Sequence, residues 1–142
     1  VEAIAMPELK DKYPDFYDRA LVTLRFANGS IGLIDSACPV RYGYDARVEI
    51  LGTEGVMLIG ELKSQAVVVC KKETGVYMST FPSWRDRFRE AYFEEDKHFI
   101  DCIINDKNPL ASGEDGKTAL EAVLAATKSF KEGKPVTLPL AQ

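Results

Sequence analysis

The fold class is decided by the stretch Asp18-Arg19-Ala20-Leu21-Val22-Thr23-Leu24-Arg25-Phe26-Ala27-Asn28-Gly29-Ser30-Ile31. Apolar and polar residues alternate from Val22 to Phe26, and a period of two predicts a strand with one buried side. Asn28-Gly29 suits the positive φ angles of a two-residue hairpin turn, so residues 31–38 are predicted to fold back antiparallel. An antiparallel hairpin is therefore the first element that the sequence predicts.

Strand-like segments continue through the first half of the chain. Short turns that contain glycine separate them, at residues 52–55 and 72–75, because glycine gives the backbone the freedom that tight turns require. Short turns between successive strands indicate antiparallel pairing. The predicted strands are residues 1–6, 18–26, 31–38, 46–51, 56–59, 66–70 and 76–80, with 136–140 as an edge strand.

The hydrophobic period changes in the second half. Ser83 is predicted to cap a helix that ends before Asn108-Pro109, and a second helix is predicted from Asp115 to Lys131, closed by Gly133. Strands first and helices afterwards predict an α+β domain over residues 1–142, with a largely antiparallel open-faced sheet and helices packed on one face. The predicted buried stripes are Phe88, Ala91, Tyr92, Phe99, Cys102 and Ile103, then Ala119, Ala122, Val123, Ala126 and Phe130.

Composition and charge exclude several classes of partner. The net charge is −4, so phosphate backbones and anionic membranes would on balance repel the chain, and we expect no nucleic-acid or membrane partner. No apolar run reaches the ~18 residues that cross a bilayer. The cysteines are Cys38, Cys70 and Cys102, and their wide spacing predicts reduced core residues in a cytoplasmic protein rather than a disulfide framework.

Several motifs of enzyme sites are missing. No Gly-x-Gly-x-x-Gly turn or Walker loop is present, so the sequence predicts no cofactor-binding residues in this chain. His98 is the single histidine, four residues after Glu94, and a structural pairing with that carboxylate is expected. A metal site is disfavoured, since zinc would require three or four ligands. We assign no catalytic residue, and an autonomous hydrolase or lyase would need a nucleophile–base pair.

The segment Arg41-Tyr42-Gly43-Tyr44-Asp45 is the candidate ligand-binding segment. Tyrosine rings pack on the C–H faces of a polyhydroxy ligand, while phenol and guanidinium groups bind its hydroxyls. The alternative is a loop whose tyrosines complete the edge of the core. Arg85, Arg87 and Arg89 lie in the first helical turns, where the macrodipole favours acids; solvent exposure explains at least two, and one could face a ligand or a neighbouring domain.

Three segments carry motifs in a fixed order: Tyr42-Gly43-Tyr44-Asp45-Ala46-Arg47 leading to Gly52-Thr53-Glu54-Gly55, then Trp84-Arg85-Asp86-Arg87-Phe88-Arg89, and Phe99-Ile100-Asp101-Cys102-Ile103 before Gly113-Glu114-Asp115-Gly116. Together they resemble the carboxyl-terminal domain of the glucose-fructose oxidoreductase and inositol 2-dehydrogenase family, most closely its inositol dehydrogenase branch. The resemblance covers essentially the whole chain.

The resemblance implies a role within a longer protein. In this family an amino-terminal Rossmann domain binds NAD or NADP, and a Glu-Lys-Pro lysine and an Asp-x-x-x-His pair relay the proton; this chain contains neither motif. It therefore implies an inactive fragment, the substrate-binding and oligomerisation domain of a dehydrogenase for a small polyol or sugar. It places Tyr42 or Tyr44 near the substrate, with Arg41 and Arg87 as further candidates, and implies a homo-oligomer through the sheet face.

A stand-alone binding or scaffold module of the same fold is the alternative. The chain begins at Val1 without an initiator methionine, and we expect a longer reading frame before it. The coding sequence upstream separates the two hypotheses, since a Gly-x-Gly-x-x-Gly segment supports the dehydrogenase and a stop codon supports the module.

Overall fold

The computed structural model describes the backbone of residues 2–4 and the whole of residues 11–140. The chain divides into two compact units, one made of Val1–Pro39 with Asn108–Gln142 and one made of Val40–Lys107. In chain order the elements are β1 (Glu2–Ile4), β2 (Arg19–Arg25), β3 (Ile31–Ala37), β4 (Val48–Gly52), β5 (Gly55–Ile59), β6 (Lys63–Lys71), β7 (Gly75–Thr80), α1 (Trp84–Arg87), α2 (Arg89–Ile104) and α3 (Gly113–Glu132).

The first unit contains a three-stranded antiparallel sheet in the order β1-β2-β3. Along β2, Ala20, Val22 and Leu24 are half-buried and the residues between them are exposed, so the period of two confirms the predicted strand. Of the predicted strand 1–6, residues 2–4 form β1, and the remainder lies outside the described residues. The α+β class and the antiparallel pairing are thus confirmed.

The turn between β2 and β3 is longer than the two residues predicted. The Phe26 N–H donates to the Ser30 carbonyl at 2.9 Å and the Gly29 N–H to the Phe26 carbonyl at 3.0 Å, which leaves a three-residue loop. Within this loop, all of which the structure describes, Gly29 alone has a positive φ, at 88°. Asn28 instead accepts a hydrogen bond from the Ser30 N–H at 3.0 Å through its side chain, as asparagine commonly does in turns.

Helix α3 begins at a capping box. The Ser112 hydroxyl accepts from the Asp115 N–H at 3.3 Å, and the Asp115 carboxylate accepts from the Ser112 N–H at 2.8 Å. These hydrogen bonds hold the pKa of Asp115 below its usual value, and the bond from the Ser112 backbone has the largest effect. Because the pair satisfies two otherwise unbonded amides, the helix starts at Gly113, two residues before the predicted start. It ends as predicted at Gly133, which is left-handed with φ 64°.

Ser112→Ala is expected to destabilise the first unit by about 1 kcal/mol, since an N-cap hydroxyl contributes about 0.5–2 kcal/mol. Urea denaturation followed by circular dichroism measures this difference. Ser112→Thr is the matched control, because threonine keeps the hydroxyl and should stay close to the parent sequence. Equal destabilisation by both substitutions would contradict a role for the hydroxyl.

The buried stripe of α3 is displaced from the predicted one. Ala125 is buried, and Ala122, Ala126 and Phe130 are half-buried, whereas Ala119 and Val123 are exposed. The Phe130 ring packs edge-on against Tyr17, with ring centroids 4.7 Å apart. The prediction therefore placed part of the stripe correctly and was wrong for Ala119 and Val123.

The predicted edge strand at residues 136–140 is wrong, because none of these residues is in a strand. Pro135 and Pro139 lack the N–H that a ladder requires. The Leu140 N–H donates at 2.5 Å to the Glu121 carboxylate of α3 instead. A helix side chain thus binds the tail where a neighbouring strand was expected.

The second unit contains two antiparallel hairpins. β4 pairs with β5 so that Gly52 lies opposite Gly55, and β6 pairs with β7 with an irregularity between Lys63 and Val68. Each predicted strand is present with shifted ends. Among the described residues the ladders form three separate groups, β1-β2-β3, β4-β5 and β6-β7.

The single helix predicted between its cap Ser83 and Asn108 is two helices. Phe88, at φ −111° and ψ 17°, ends α1 and begins α2, so the chain changes direction there. Ser83 caps α1 as predicted, accepting from the Asp86 N–H at 3.4 Å. Helix α2 ends at Ile104, and the Lys107 N–H donates to the Cys102 carbonyl at 2.9 Å.

No disulfide joins the three cysteines, and Cys102 is buried whereas Cys38 and Cys70 are exposed, so the prediction of core positions is wrong for the latter two. His98 lies beside Cys102, with its Nε2 3.5 Å from the sulfur. No helix in the described part of the chain has the length and apolar character required to span a bilayer.

Candidate functional site

The segment from Arg41 to Asp45 is attached to the end of β7. The Tyr44 N–H donates to the Phe81 carbonyl at 2.6 Å, and the Thr80 hydroxyl donates to the Tyr42 carbonyl at 2.6 Å. Tyr44 and Phe81 thereby form an isolated antiparallel bridge. Two short hydrogen bonds therefore fix the backbone on both sides of Gly43.

Gly43 permits this close approach. Its φ of 111° is one that residues with a side chain rarely adopt. A Cβ on this residue would lie 2.7 Å from the Phe81 carbonyl oxygen and would collide with the Thr80 hydroxyl. Glycine is thus required here for its conformation and for its small volume.

Tyr42 is oriented by an ionised carboxylate. Its phenol donates to Asp45 Oδ2 at 3.3 Å, and Arg47 binds both carboxylate oxygens of Asp45 at 2.7 Å. The Arg47 hydrogen bond is the main reason that the pKa of Asp45 is lowered, although the Asp45 side chain is only 13% exposed. Because the carboxylate can only accept, the proton of the Tyr42 phenol points toward it and the phenol oxygen stays able to accept.

The two candidate tyrosines differ in their exposure and in their contacts. The Tyr42 side chain is 55% exposed. Tyr44 is half-buried, and its ring packs edge-on against Phe88 with centroids 5.9 Å apart. Tyr42 is therefore the more accessible of the two tyrosines, and the Tyr44 ring is held by a contact with Phe88.

Arg87 binds backbone carbonyl groups of its own unit. Its Nη1 donates to the Glu61 carbonyl at 2.6 Å and its Nη2 to the Ala46 carbonyl at 2.8 Å. The guanidinium carbon lies 5.0 Å from the centre of the Phe81 ring. Arg85, in contrast, stacks on Trp84 at 4.6 Å.

An open groove of about 680 Å³ lies beside the segment. Arg41 and Tyr42 line it, whereas Tyr44 and Arg87 do not, so the structure brings together two of the four predicted site residues. Five residues of β7, Tyr77 and Thr80 among them, also line the groove, and these were not predicted. The lining residues are Arg41, Tyr42, Gly43, Leu62, Val76, Tyr77, Met78, Ser79, Thr80 and Pro82.

The described residues offer no cluster of metal-ligating side chains, and the first turn of α3 is acidic. Across residues 11–140, no group of three or more His, Cys, Asp or Glu side chains could hold a metal ion. The Gly113–Gly116 pair lies at the start of α3, but Glu114 and Asp115 occupy the first turn there. Two carboxylates at that position would repel a pyrophosphate.

The sequence of this chain is similar to those of curated dehydrogenases. The chain is 38% identical over 128 residues to a scyllo-inositol 2-dehydrogenase (NAD(+)) of Bacillus subtilis, covering 90% of this chain and 37% of that protein. It is 36% identical to a myo-inositol 2-dehydrogenase of Thermotoga maritima, covering 85% of this chain and 36% of the relative. The chain therefore spans a little over a third of the length of these curated relatives.

Solved structures show the same fold. The crystal structure of a myo-inositol dehydrogenase from Corynebacterium glutamicum superposes with a TM-score of 0.85 at 28% identity, covering 98% of this chain and 42% of that one. Residues 4–138 match the family described as oxidoreductase family, C-terminal alpha/beta domain. The chain belongs to the glucose-fructose oxidoreductase and inositol 2-dehydrogenase family, of which it is a C-terminal α/β domain.

Proposed function

We propose that this chain is the substrate-binding and oligomerisation domain of a NAD-dependent dehydrogenase that acts on inositol or a similar polyol. The observation that carries the proposal is the Tyr42 phenol, which lies at the groove with its proton directed to Asp45. The named activities of the Bacillus and Thermotoga relatives support the class of substrate. The name of the Bacillus relative supports NAD over NADP.

The groove suits a neutral polyhydroxy ligand. The Tyr42 oxygen accepts a hydrogen bond from a ligand hydroxyl, and Arg41 and Thr80 supply polar groups at the same groove. Tyr77 offers an aromatic ring for the C–H face of the ligand. In this proposal these residues bind and orient the polyol. A stand-alone binding module remains the alternative, because binding a polyol does not require a nucleotide-binding domain.

In our proposal, NAD binds to a part of the protein outside this chain. The described residues do not fit a dinucleotide, because the first turn of α3 carries Glu114 and Asp115 in place of a free anion site. The chain spans 37% of the Bacillus relative, and a separate domain of the longer protein is the proposed cofactor site. Catalytic proton transfer is likewise assigned to groups outside this chain.

Tyr42→Phe in the complete enzyme is expected to lower kcat/KM for the polyol about three- to tenfold, which is the loss of one hydrogen bond of about 0.5–1.5 kcal/mol. The melting temperature should stay unchanged, since the phenol is at the surface. Steady-state kinetics and thermal unfolding measure the two quantities.

Tyr44→Phe is the matched control, because it removes the same atom from a half-buried ring that does not line the groove. We expect its kinetics to match those of the parent enzyme. If Tyr42→Phe leaves the kinetics intact, or changes only the melting temperature, both tyrosines are core-edge residues and the site assignment is wrong.

A further inference from the structure

We propose that Arg87 is a positioning residue, which holds the Tyr42–Ala46 segment in its binding conformation without contacting the substrate. The inference rests on the proposed function, since it concerns how the same groove is kept in shape. It also changes the role of Arg87 from the direct ligand contact that the family resemblance implied. Three features of the guanidinium support this role.

The first feature is that Arg87 joins two separate parts of the second unit. Its Nη2 binds the carbonyl of Ala46, the residue after Asp45, and its Nη1 binds the carbonyl of Glu61 beyond β5. Hydrogen bonds from a charged donor are stronger than neutral ones. Arg87 therefore anchors the carboxyl end of the segment, as Thr80 and Phe81 anchor its middle.

The second feature is a space that only glycine leaves open. Gly60 has a φ of 84°, and a Cβ there would collide with Arg87 Nη2 and lie 2.7 Å from the Ala46 carbonyl oxygen. The guanidinium therefore occupies the volume that a side chain at position 60 would take. A side chain at position 60 would contact both the donor and the acceptor of the Arg87–Ala46 hydrogen bond.

The third feature is that the guanidinium is unavailable to a ligand. Its Nε is buried and has no hydrogen-bond partner among the described residues. Its central carbon lies 5.0 Å from the ring centre of Phe81 and 5.8 Å from that of Phe88, and Arg87 does not line the groove. Its charge also contributes to the lowered pKa of Asp45, which keeps the acceptor for the Tyr42 phenol ionised.

Arg87→Lys and Gly60→Ala test the proposal in the complete enzyme. Lysine keeps the charge but cannot bind both carbonyls in the fork geometry of arginine. We expect each variant to raise KM for the polyol about three- to tenfold, as for one lost hydrogen bond, with kcat and the KM for NAD within about twofold. That pattern indicates loss of binding that is uniform in the ground and transition states.

Two matched controls separate positioning from charge and from backbone strain. Arg85→Lys makes the same chemical change on the exposed arginine two residues away. Gly75→Ala places alanine at a similar φ, 71°, where nothing lies within 4 Å of the new Cβ. Both controls should keep the polyol KM of the parent enzyme, and a rise equal to that of the test variants would overturn the proposal.

Amide hydrogen exchange gives a readout that does not depend on activity. The Tyr44 N–H, bonded to Phe81, should exchange at least about tenfold faster in Arg87→Lys, while the amide of buried Ala125 in the first unit keeps its rate. Unchanged Tyr44 exchange overturns the positioning role whatever the kinetics show. A lowered kcat with unchanged exchange indicates direct contact with the reacting substrate and also overturns it.

Tyr42→Phe distinguishes the two possible failures. If Arg87 acts through Tyr42, the Tyr42→Phe/Arg87→Lys double variant should have a polyol KM close to that of the worse single variant. If Tyr42→Phe alone is silent while Tyr44 exchange still accelerates in Arg87→Lys, the proposed binding site is wrong and the positioning of the segment stands. If each single substitution raises the KM for the polyol, additive effects in the double variant overturn the positioning role.

Discussion

Gly43→Ala is expected to destabilise the second unit by about 2–3 kcal/mol and to lower kcat/KM for the polyol about a hundredfold. Alanine at φ 111° is strained, and its Cβ would lie 2.7 Å from the Phe81 carbonyl oxygen. The segment can relieve this contact only by leaving β7, which breaks the hydrogen bond from Thr80 to the Tyr42 carbonyl. Urea denaturation and steady-state kinetics of the complete enzyme measure the two effects.

Gly29→Ala controls for backbone strain alone. Gly29 has a φ of 88°, and no atom lies within 4 Å of a Cβ built on it. A left-handed alanine costs about 1–2 kcal/mol, so a modest loss of stability with unchanged kinetics is expected. If Gly43→Ala resembles Gly29→Ala in both measurements, the close approach to Phe81 is not required for the groove.

The features that the sequence predicted well depend on neighbouring residues. The alternation of β2 and the glycine turn between β4 and β5 are visible within a few positions, because side-chain direction and positive φ are local properties. The same holds for the capping residue Ser83 and the terminal Gly133. Such signals identify an element and miss its ends by one or two residues, as at β4 and α3.

The features that the sequence did not predict depend on distant residues. Thr80 binds the Tyr42 carbonyl across 38 positions, and nothing around Tyr42 indicates that partner. Tyr44 packs edge-on against Phe88, and the residues around Tyr44 do not indicate that contact either. Likewise, the pattern did not say which of Arg85, Arg87 and Arg89 has a special role, and the carbonyl partners of Arg87 were not evident from it.

Phe88 both ends α1 and packs against the candidate binding segment. A continuous helical period from Ser83 predicted one helix, whereas the chain turns at Phe88 and places its ring on Tyr44. The residue that interrupts the helix therefore also supports the candidate site. Periodicity could not reveal this, because no glycine or proline marks the break and the Phe88–Tyr44 contact joins distant parts of the chain.

We propose that the protein self-associates through one face of the β2–β3 hairpin, the face that carries Leu21, Ile31 and Leu33. Ile31 is 79% exposed and Leu33 is 69% exposed, and both lie on the same face as Leu21. Monomeric proteins rarely leave a large apolar patch uncovered, and a symmetric dimer is the simplest way to cover one. Sedimentation equilibrium of the parent sequence at micromolar concentration should therefore find a dimer or a larger oligomer.

Leu33→Lys is expected to raise the dissociation constant of this oligomer about a hundredfold, or about 2.7 kcal/mol, because an unpaired ammonium group would be buried at the contact. Leu110→Lys makes the same substitution at a side chain that is 90% exposed and lies outside every strand and helix, so its dissociation constant should match that of the parent sequence. A strictly monomeric parent would refute the proposal. So would equal dissociation constants for the two lysine variants, since the contact would then not involve the β2–β3 face.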